Sequence, residues 1–269
     1  MLYGAIIGDI AGSRFEFHNI KGKDSSFDLL HPHCFFTDDT VMTCAVAKAI
    51  MQSDGDISRL ADLARINMRM LGRAYPHAGY GKRFKSWLWV DTPRPYNSCG
   101  NGAAMRVSAV GYAAESFADV LRMSEAVTGV THNHPEGYKG AEATAACVWM
   151  ALNGYSMDEI REKVQEMWYP LDFTLDDIRE DYKFNELAQD TVPQAIEAFL
   201  ESTSYEDALR LAITLGGDSD TLAAITGGIA GAYYGVPTYL RAEAKAYLTE
   251  DLVDIIHDFS VTINGKEGD

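Results

Sequence analysis

Residues 57 to 74 read ISRLADLARINMRMLGRA, and their apolar side chains recur at three- and four-residue spacings. That is the period of a helix burying one face. The same spacing runs through SFADVLRMSEAVTGV (116–130), EGYKGAEATAACVWMALNG (136–154), SMDEIREKVQEMW (156–168), VPQAIEAFLES (192–202) and YEDALRLAITLGG (205–217). Strand signals are scarce, so the expected fold is all-α, a compact orthogonal multi-helix bundle. Boundary chemistry agrees. Ser156 stands three residues before Glu159 as a capping box, Gly154 closes the helix before it, Pro170 follows the next, and Gly216-Gly217 can end another. KRFKSWLWVDTPRPYNSCGNG (82–102), rich in Pro, Gly, Asn and aromatic residues, reads as one long irregular loop, and such loops are more often functional than idle.

At 269 residues with 47% apolar content, the chain can bury a sizeable core. No low-complexity tract or Ser/Gly linker divides it, so residues 1–269 are expected to form one domain. A net charge of -16 gives no basic field to gather a phosphate backbone or an anionic membrane, which disfavours direct nucleic-acid binding. Cys34, Cys44, Cys99 and Cys147 are scattered, with no C-x-x-C pair, and read as reduced thiols of a cytoplasmic protein. The opening MLYGAIIGDIAGS lacks a basic start and carries Asp9 within its apolar run, unlike a signal peptide. No stretch is long and oily enough to span a membrane.

Two acidic motifs stand nearly two hundred residues apart. TDDT (37–40) and DSDT (218–221) each precede an apolar or Ala-rich helical run. Asp and Thr suit helix N-termini, where they accept orphan N–H bonds and complement the dipole. A cap needs one acceptor, however, and Asp38-Asp39 and Asp218/Asp220 present several. If the two turns meet, four carboxylates share one small volume, and like charges so close raise one another's pKa unless cations neutralise them. The donors are hard oxygens with no Cys or His, which suits Mg²⁺, Mn²⁺ or Ca²⁺ and argues against zinc.

Other motifs carry weaker signals. SCGNGAAMR (98–106) sets glycines around Asn101 ahead of a helical run, an arrangement that can offer N–H groups and a helix dipole to a diphosphate. A plain loop-to-helix turn fits the pattern equally well. THNHPEGYKGA (131–141) brings His132 and His134 ahead of a helix without a third soft ligand, so hydrogen bonding or capping fits them better than zinc. AGYGKRF (78–84) is a further glycine turn. In GDIAGSRFEF (8–17), Asp9 is expected to satisfy buried backbone or a neighbouring helix, and Glu16 is free to face a site. GGIAGAYYG (227–235) reads as close helix packing.

Taken in order, GAIIGDIAGSRFE, FFTDDTVMT, GYG, SCGNGAAMR, THNHPEGYKGA and GGDSDTLAAITGGIAGAYYG resemble the ADP-ribosylglycohydrolase family, from about residue 4 to about residue 235. That group includes dinitrogenase reductase-activating glycohydrolase and the ADP-ribosyl-acceptor hydrolases. The resemblance implies an all-α fold with a binuclear site in a central cleft, where Thr37, Asp38, Asp39, Asp218, Asp220 and Thr221 hold two Mg²⁺ or Mn²⁺. It implies cleavage at ribose C1″ of an ADP-ribosylated protein or small ADP-ribose conjugate, with arginine-linked ADP-ribose as the first expectation and serine-linked, O-acetyl or polymeric forms as alternatives. Glu16 matches a mobile glutamate that helps activate water and gate the site. Together with Asp38 and Asp220 it makes the expected catalytic set. Ser98, Gly100, Asn101 and Gly102 match the lining of the diphosphate and distal ribose, Gly79, Tyr80 and Gly81 a second substrate-contacting turn, and His132 a ligand-contacting histidine. Residues 82 to 97 match no family pattern. Crystallin-like members that bind without catalysis should have lost some of the acids, and here all are present. An aspartate-rich prenyl diphosphate enzyme would need D-D-x-x-D, whereas TDDTV lacks the last acid.

Overall fold

A computed structural model of the chain describes residues 1–22 and 26–266. The series of helices opens with α1 (Tyr3–Ser13), α2 (Asp38–Ser53), α3 (Ile57–Ala74), α4 (Lys82–Trp89), α5 (Ser108–Ala113), α6 (Phe117–Thr128) and α7 (Pro135–Leu152). It continues with α8 (Met157–Met167), α9 (Leu175–Ile178), α10 (Val192–Leu200), α11 (Tyr205–Leu215), α12 (Ser219–Tyr233), α13 (Thr238–Ala244) and α14 (Glu250–Lys266). The six periodic segments form α3, α6, α7, α8, α10 and α11 of this series. Among the described residues the only β pairing is an isolated antiparallel bridge between Gly100 and Leu187. The fold is all-α, as the periodicity requires.

The bundle is organised around α1 and α12, which run antiparallel with almost no side chain between them. A Cβ on Gly4 would lie 2.5 Å from the Gly227 carbonyl oxygen, one on Gly8 2.0 Å from that of Ala223, and one on Gly12 2.4 Å from that of Ser219. Backbones this close tolerate only hydrogen at those positions, which fulfils the close-packing reading of GGIAGAYYG. The register has a functional consequence: the C-terminal end of α1, leading to Glu16, is pinned beside Asp218 and Asp220 at the start of α12. Helices α7, α10 and α11 pack around α12, while α2 lies against α3, α5 and α14.

The expected punctuation forms. Ser156 and Glu159 make a reciprocal capping box on α8, and Gly216 (φ +84°) and Gly217 (φ +78°) end α11 in the left-handed region that favours glycine. One expectation is corrected. Residues 82 to 89 form α4 and are not part of a loop, because Phe84, Trp87 and Leu88 fall on one face and are buried. Leu88 sits where a side chain on Gly72 of α3 would be, 2.5 Å from its ideal Cβ. Tertiary burial outweighs an aromatic and basic composition that has little intrinsic helix signal.

Candidate active site

The turn into α2 is built on Asp9. This fully buried carboxylate accepts four hydrogen bonds: from Thr37 N (2.9 Å) and Oγ1 (2.7 Å), and from Thr40 N (3.1 Å) and Oγ1 (2.5 Å). Asp9 therefore does satisfy buried backbone, and by doing so it holds TDDT against α1. Thr37 also supplies the helix cap, accepting from Asp39 N. Capping is thus done by the threonine, and Asp38 and Asp39 are left over. At the start of α12, Asp218 occupies the capping position without making a capping bond.

The two acidic turns meet. Thr221 Oγ1 donates to Asp39 Oδ2 at 3.3 Å across 182 residues of sequence. One oxygen each from Asp9, Asp39 and Asp220 lie within 4.8 Å of one another, as do one each from Glu16, Asp218 and Asp220, so Asp220 belongs to both groups. Among the described residues none of these carboxylates has a Lys or Arg ion-pair partner. Burial and the neighbouring acids push Asp38, Asp39 and Asp220 well above the ordinary carboxylate range. Glu16 is pushed up to about 8, first by burial and then by Asp220, Asp9 and Glu186, and Asp218 to about 6 by burial. Among the described residues Asp39 Oδ1 is buried with no hydrogen-bond partner. An orphaned buried oxygen among uncompensated carboxylates and threonine hydroxyls fits hard divalent cations better than it fits any protein partner here.

Glu16, Asp38, Asp39, Asp218 and Asp220, but not Asp9, line a cleft of about 630 Å³, within the range of small-molecule sites. Thr221, Gly79, Tyr80, Gly81, Ser98, Gly100, Asn101, Gly102 and His132 line it as well. Thr37 does not; its hydroxyl hydrogen goes to Asp9. Gly79 (φ +109°) brings its backbone against Asp38, whose Oδ1 would lie 3.1 Å from an added Cβ. The buried Tyr80 hydroxyl has no hydrogen-bond partner among the described residues, and burial raises its pKa, so it stays protonated as a donor.

The Gly100–Gly102 turn differs in detail from a helix N-terminus. It is a single 3₁₀ turn, Asn101–Ala103, and α5 starts only at Ser108, so a helix dipole contributes little there. The Asn101 N–H is taken by the Glu186 carbonyl (2.8 Å), while its side chain donates to Asp218 (2.7 Å) and Thr191 (3.2 Å). Asn101 thereby ties this turn to the acidic cluster.

His132 is buried and neutral, its pKa held well below the ordinary value by burial and by Arg106 and Arg83. Thr131 Oγ1 accepts from Arg106 Nη2 (2.8 Å) and lies 2.8 Å from His132 Nδ1. Arg106 can only donate, which leaves the Thr131 hydrogen available to Nδ1; with that bond made, the ring proton sits on Nε2. Nε2 faces the glycine turn, 3.3 Å from an ideal Cβ on Gly102. His134, in contrast, caps α7 through Glu136 N. Sequence reasoning missed Phe17, Phe184, Glu186, Tyr96, Arg83 and Arg106 in the lining. Phe17 follows Glu16, Arg83 lies within AGYGKRF, Tyr96 stands two residues before SCGNGAAMR and Arg106 ends it, whereas Phe184 and Glu186 lie near none of the motifs.

The ADP-ribosylglycohydrolase family model matches residues 1–266. The chain is 26% identical over 327 residues to human "ADP-ribosylhydrolase ARH3", covering 94% of this chain and 90% of that one. It is 27% identical over 260 residues to "ADP-ribosylarginine hydrolase Tri1" of Pseudomonas putida (strain GB-1), covering 87% and 70%. A solved "ADP-ribosylglycohydrolase-related protein complex" superposes with a TM-score of 0.70 at 24% identity, over 97% of this chain and 94% of that one. The order of the motifs, the helical fold and the family match agree, and the chain belongs to the ADP-ribosylglycohydrolase family.

Proposed function

We propose that this protein hydrolyses the bond between ribose C1″ of ADP-ribose and an arginine side chain of a modified protein, releasing ADP-ribose. The observation that carries this reading is the convergence of five carboxylates without cationic partners in a cleft large enough for a nucleoside diphosphate sugar. The whole chain, 1–269, acts as one catalytic domain, and its four unpaired cysteines suit the cytoplasm.

Thr37, Asp38, Asp39, Asp218, Asp220 and Thr221 are assigned as ligands of two Mg²⁺ or Mn²⁺, with Thr37 using its remaining lone pair. When bound, the cations neutralise the cluster and supply Lewis acidity beside the distal ribose. Glu16, half-buried at the edge of that cluster, is placed to take a proton from the attacking water and return one to the leaving group, as glycoside cleavage requires. Asp38 and Asp220 bear negative charge toward the ribose carbon, where positive charge develops. His132 Nε2–H and the Tyr80 hydroxyl donate to the substrate, and Gly79, Gly81, Ser98, Gly100, Asn101 and Gly102 let its backbone-facing oxygens approach.

Arginine is favoured by the acidic wall, where Glu16 and Glu186 suit a cationic guanidinium, and by similarity to a relative named for that linkage. The test is release of ADP-ribose from arginine-, serine- and O-acetyl-linked substrates in Mg²⁺ or Mn²⁺, with and without EDTA. Release from the arginine substrate, lost in EDTA and restored by metal, is expected. No release from any substrate overturns the activity, and release from serine alone overturns the acceptor.

A further inference from the structure

Charge is strongly segregated along the chain. Residues 57 to 97 hold eight of the 23 Lys and Arg but only two of the 39 Asp and Glu, in a protein of net charge -16. That segment comprises α3, the glycine turn and α4 with its following strap, and it includes the stretch that matches no family pattern. Most of its cations are exposed: Arg59, Arg73, Lys82, Arg83, Lys85 and Arg94.

The same surface carries large apolar groups in the open. Ile66 is 55% exposed, Met70 43%, Trp89 57% and Val90 44%. Two arginines of α3 link the pairs. Ile66 and Met70 are one turn apart on the outer face of α3. Arg69 and Arg73 reach from α3 to the Leu88 carbonyl (3.1 and 2.8 Å), Arg69 also donates to the Val90 carbonyl, and the Arg73 guanidinium lies 5.3 Å from the centre of the Trp89 ring. Exposed Ile66 and Met70 of α3 and exposed Trp89 and Val90 at the end of α4 are thus joined through Arg69 and Arg73. Single exposed apolar residues need no explanation, but Trp, Met and Arg joined in this way have the composition of a protein-docking surface. The start of α4 reaches the cleft, whose lining includes Lys82 and Arg83.

Building on the reading of the site as a hydrolase acting on modified protein, we propose that α3 and α4 dock an acidic surface of the ADP-ribosylated protein and so select protein over small conjugates. The charge pattern argues for this occupant. A second copy of the chain about a two-fold axis would set this basic face against itself. A nucleic acid would meet the field of an otherwise strongly acidic molecule and gain little from the apolar groups.

The test uses the full Mg²⁺-loaded chain, an acidic protein mono-ADP-ribosylated on arginine, and free ADP-ribosyl-arginine. The double variant Lys85→Glu/Arg94→Glu and the single variant Trp89→Ser should each weaken binding of the modified protein and raise its KM by about tenfold or more, as for charged and aromatic anchors of an interface. Added salt should weaken binding by the wild type more than by the double variant. Turnover of ADP-ribosyl-arginine should stay within about twofold of wild type, and Lys85→Arg/Arg94→Lys should behave as wild type. Unchanged affinity for the modified protein in both variants would overturn the proposal. So would an equal loss on both substrates, or variants that alter only self-association. Docking that depends on these residues in a protein that cleaves neither substrate would support the surface and count against the hydrolase reading alone.

Discussion

Asp39→Asn and Asp220→Asn are expected to abolish release of ADP-ribose while making the EDTA-treated protein more stable. Second-sphere partners of a metal ligand are already worth about 10- to 100-fold, so loss of a first-sphere carboxylate should exceed 100-fold. The stability effect runs the other way. Asp39 Oδ1 has no hydrogen-bond partner among the described residues, and Asp39 and Asp220 are held near other acids whose charge each of them resists. Carboxyls whose folded pKa is raised stabilise the fold fully below the unfolded value and lose that contribution as pH rises through the folded value. EDTA-treated wild type should therefore melt progressively lower as pH rises above about 4, the loss continuing through the folded values of Asp218, about 6, and Glu16, about 8. Each Asn variant removes part of that loss and should melt about 3 °C or more above wild type at pH 8 in EDTA, equivalent to roughly 1 kcal/mol in a chain of this size. Mg²⁺ should raise the melting temperature of wild type and leave the variants nearly unmoved. Variants that melt lower than wild type in EDTA would show that these acids serve the fold and not a ligand.

Glu16→Gln is the second large effect, expected to cost between 10²- and 10⁴-fold in kcat, the range of a general base or acid. Gln keeps the shape and the hydrogen-bonding reach, so KM should change little. In the absence of cations Glu16 holds its proton up to about pH 8, chiefly through burial and then through Asp220, Asp9 and Glu186. Bound cations would offset those acids, lowering that value and leaving Glu16 ionised and able to accept a proton. The wild-type rate should then rise with pH along an acidic limb whose midpoint lies below 8, and Glu16→Gln should lack that limb. Full turnover by Glu16→Gln would remove Glu16 from the proton-transfer role.

Much of this arrangement is legible in the sequence for a definite physical reason. Helix starts announce themselves through Asp, Ser and Thr, and two starts with more acids than a cap can use stand out against that rule. The small residues of GGIAGAYYG in α12 likewise point to close packing. What the sequence does not show is which surfaces meet. The contact between Thr221 and Asp39 and the tie from Asn101 to Asp218 depend on the antiparallel register of α1 and α12. No local pattern encodes that register. Helix α4 does not show in the sequence because its helical state comes from burying Phe84, Trp87 and Leu88, while its exposed face is basic and aromatic. Glu186 and Phe184 sit in an irregular segment between α9 and α10, where residue type alone does not predict that the chain folds over the cleft.

The central claim is that the carboxylates of TDDT and DSDT exist to bind cations. The most direct test is equilibrium titration of the EDTA-stripped, buffer-exchanged protein with Mn²⁺, counting bound metal by electron paramagnetic resonance. The account predicts two bound Mn²⁺ per chain with the spectrum of a coupled pair, fewer than two in Asp220→Asn, and tighter binding at pH 8 than at pH 6 because the ligands must give up protons. A wild-type protein that binds no Mn²⁺ at millimolar concentration, or binds it equally well after Asp220→Asn, would contradict it.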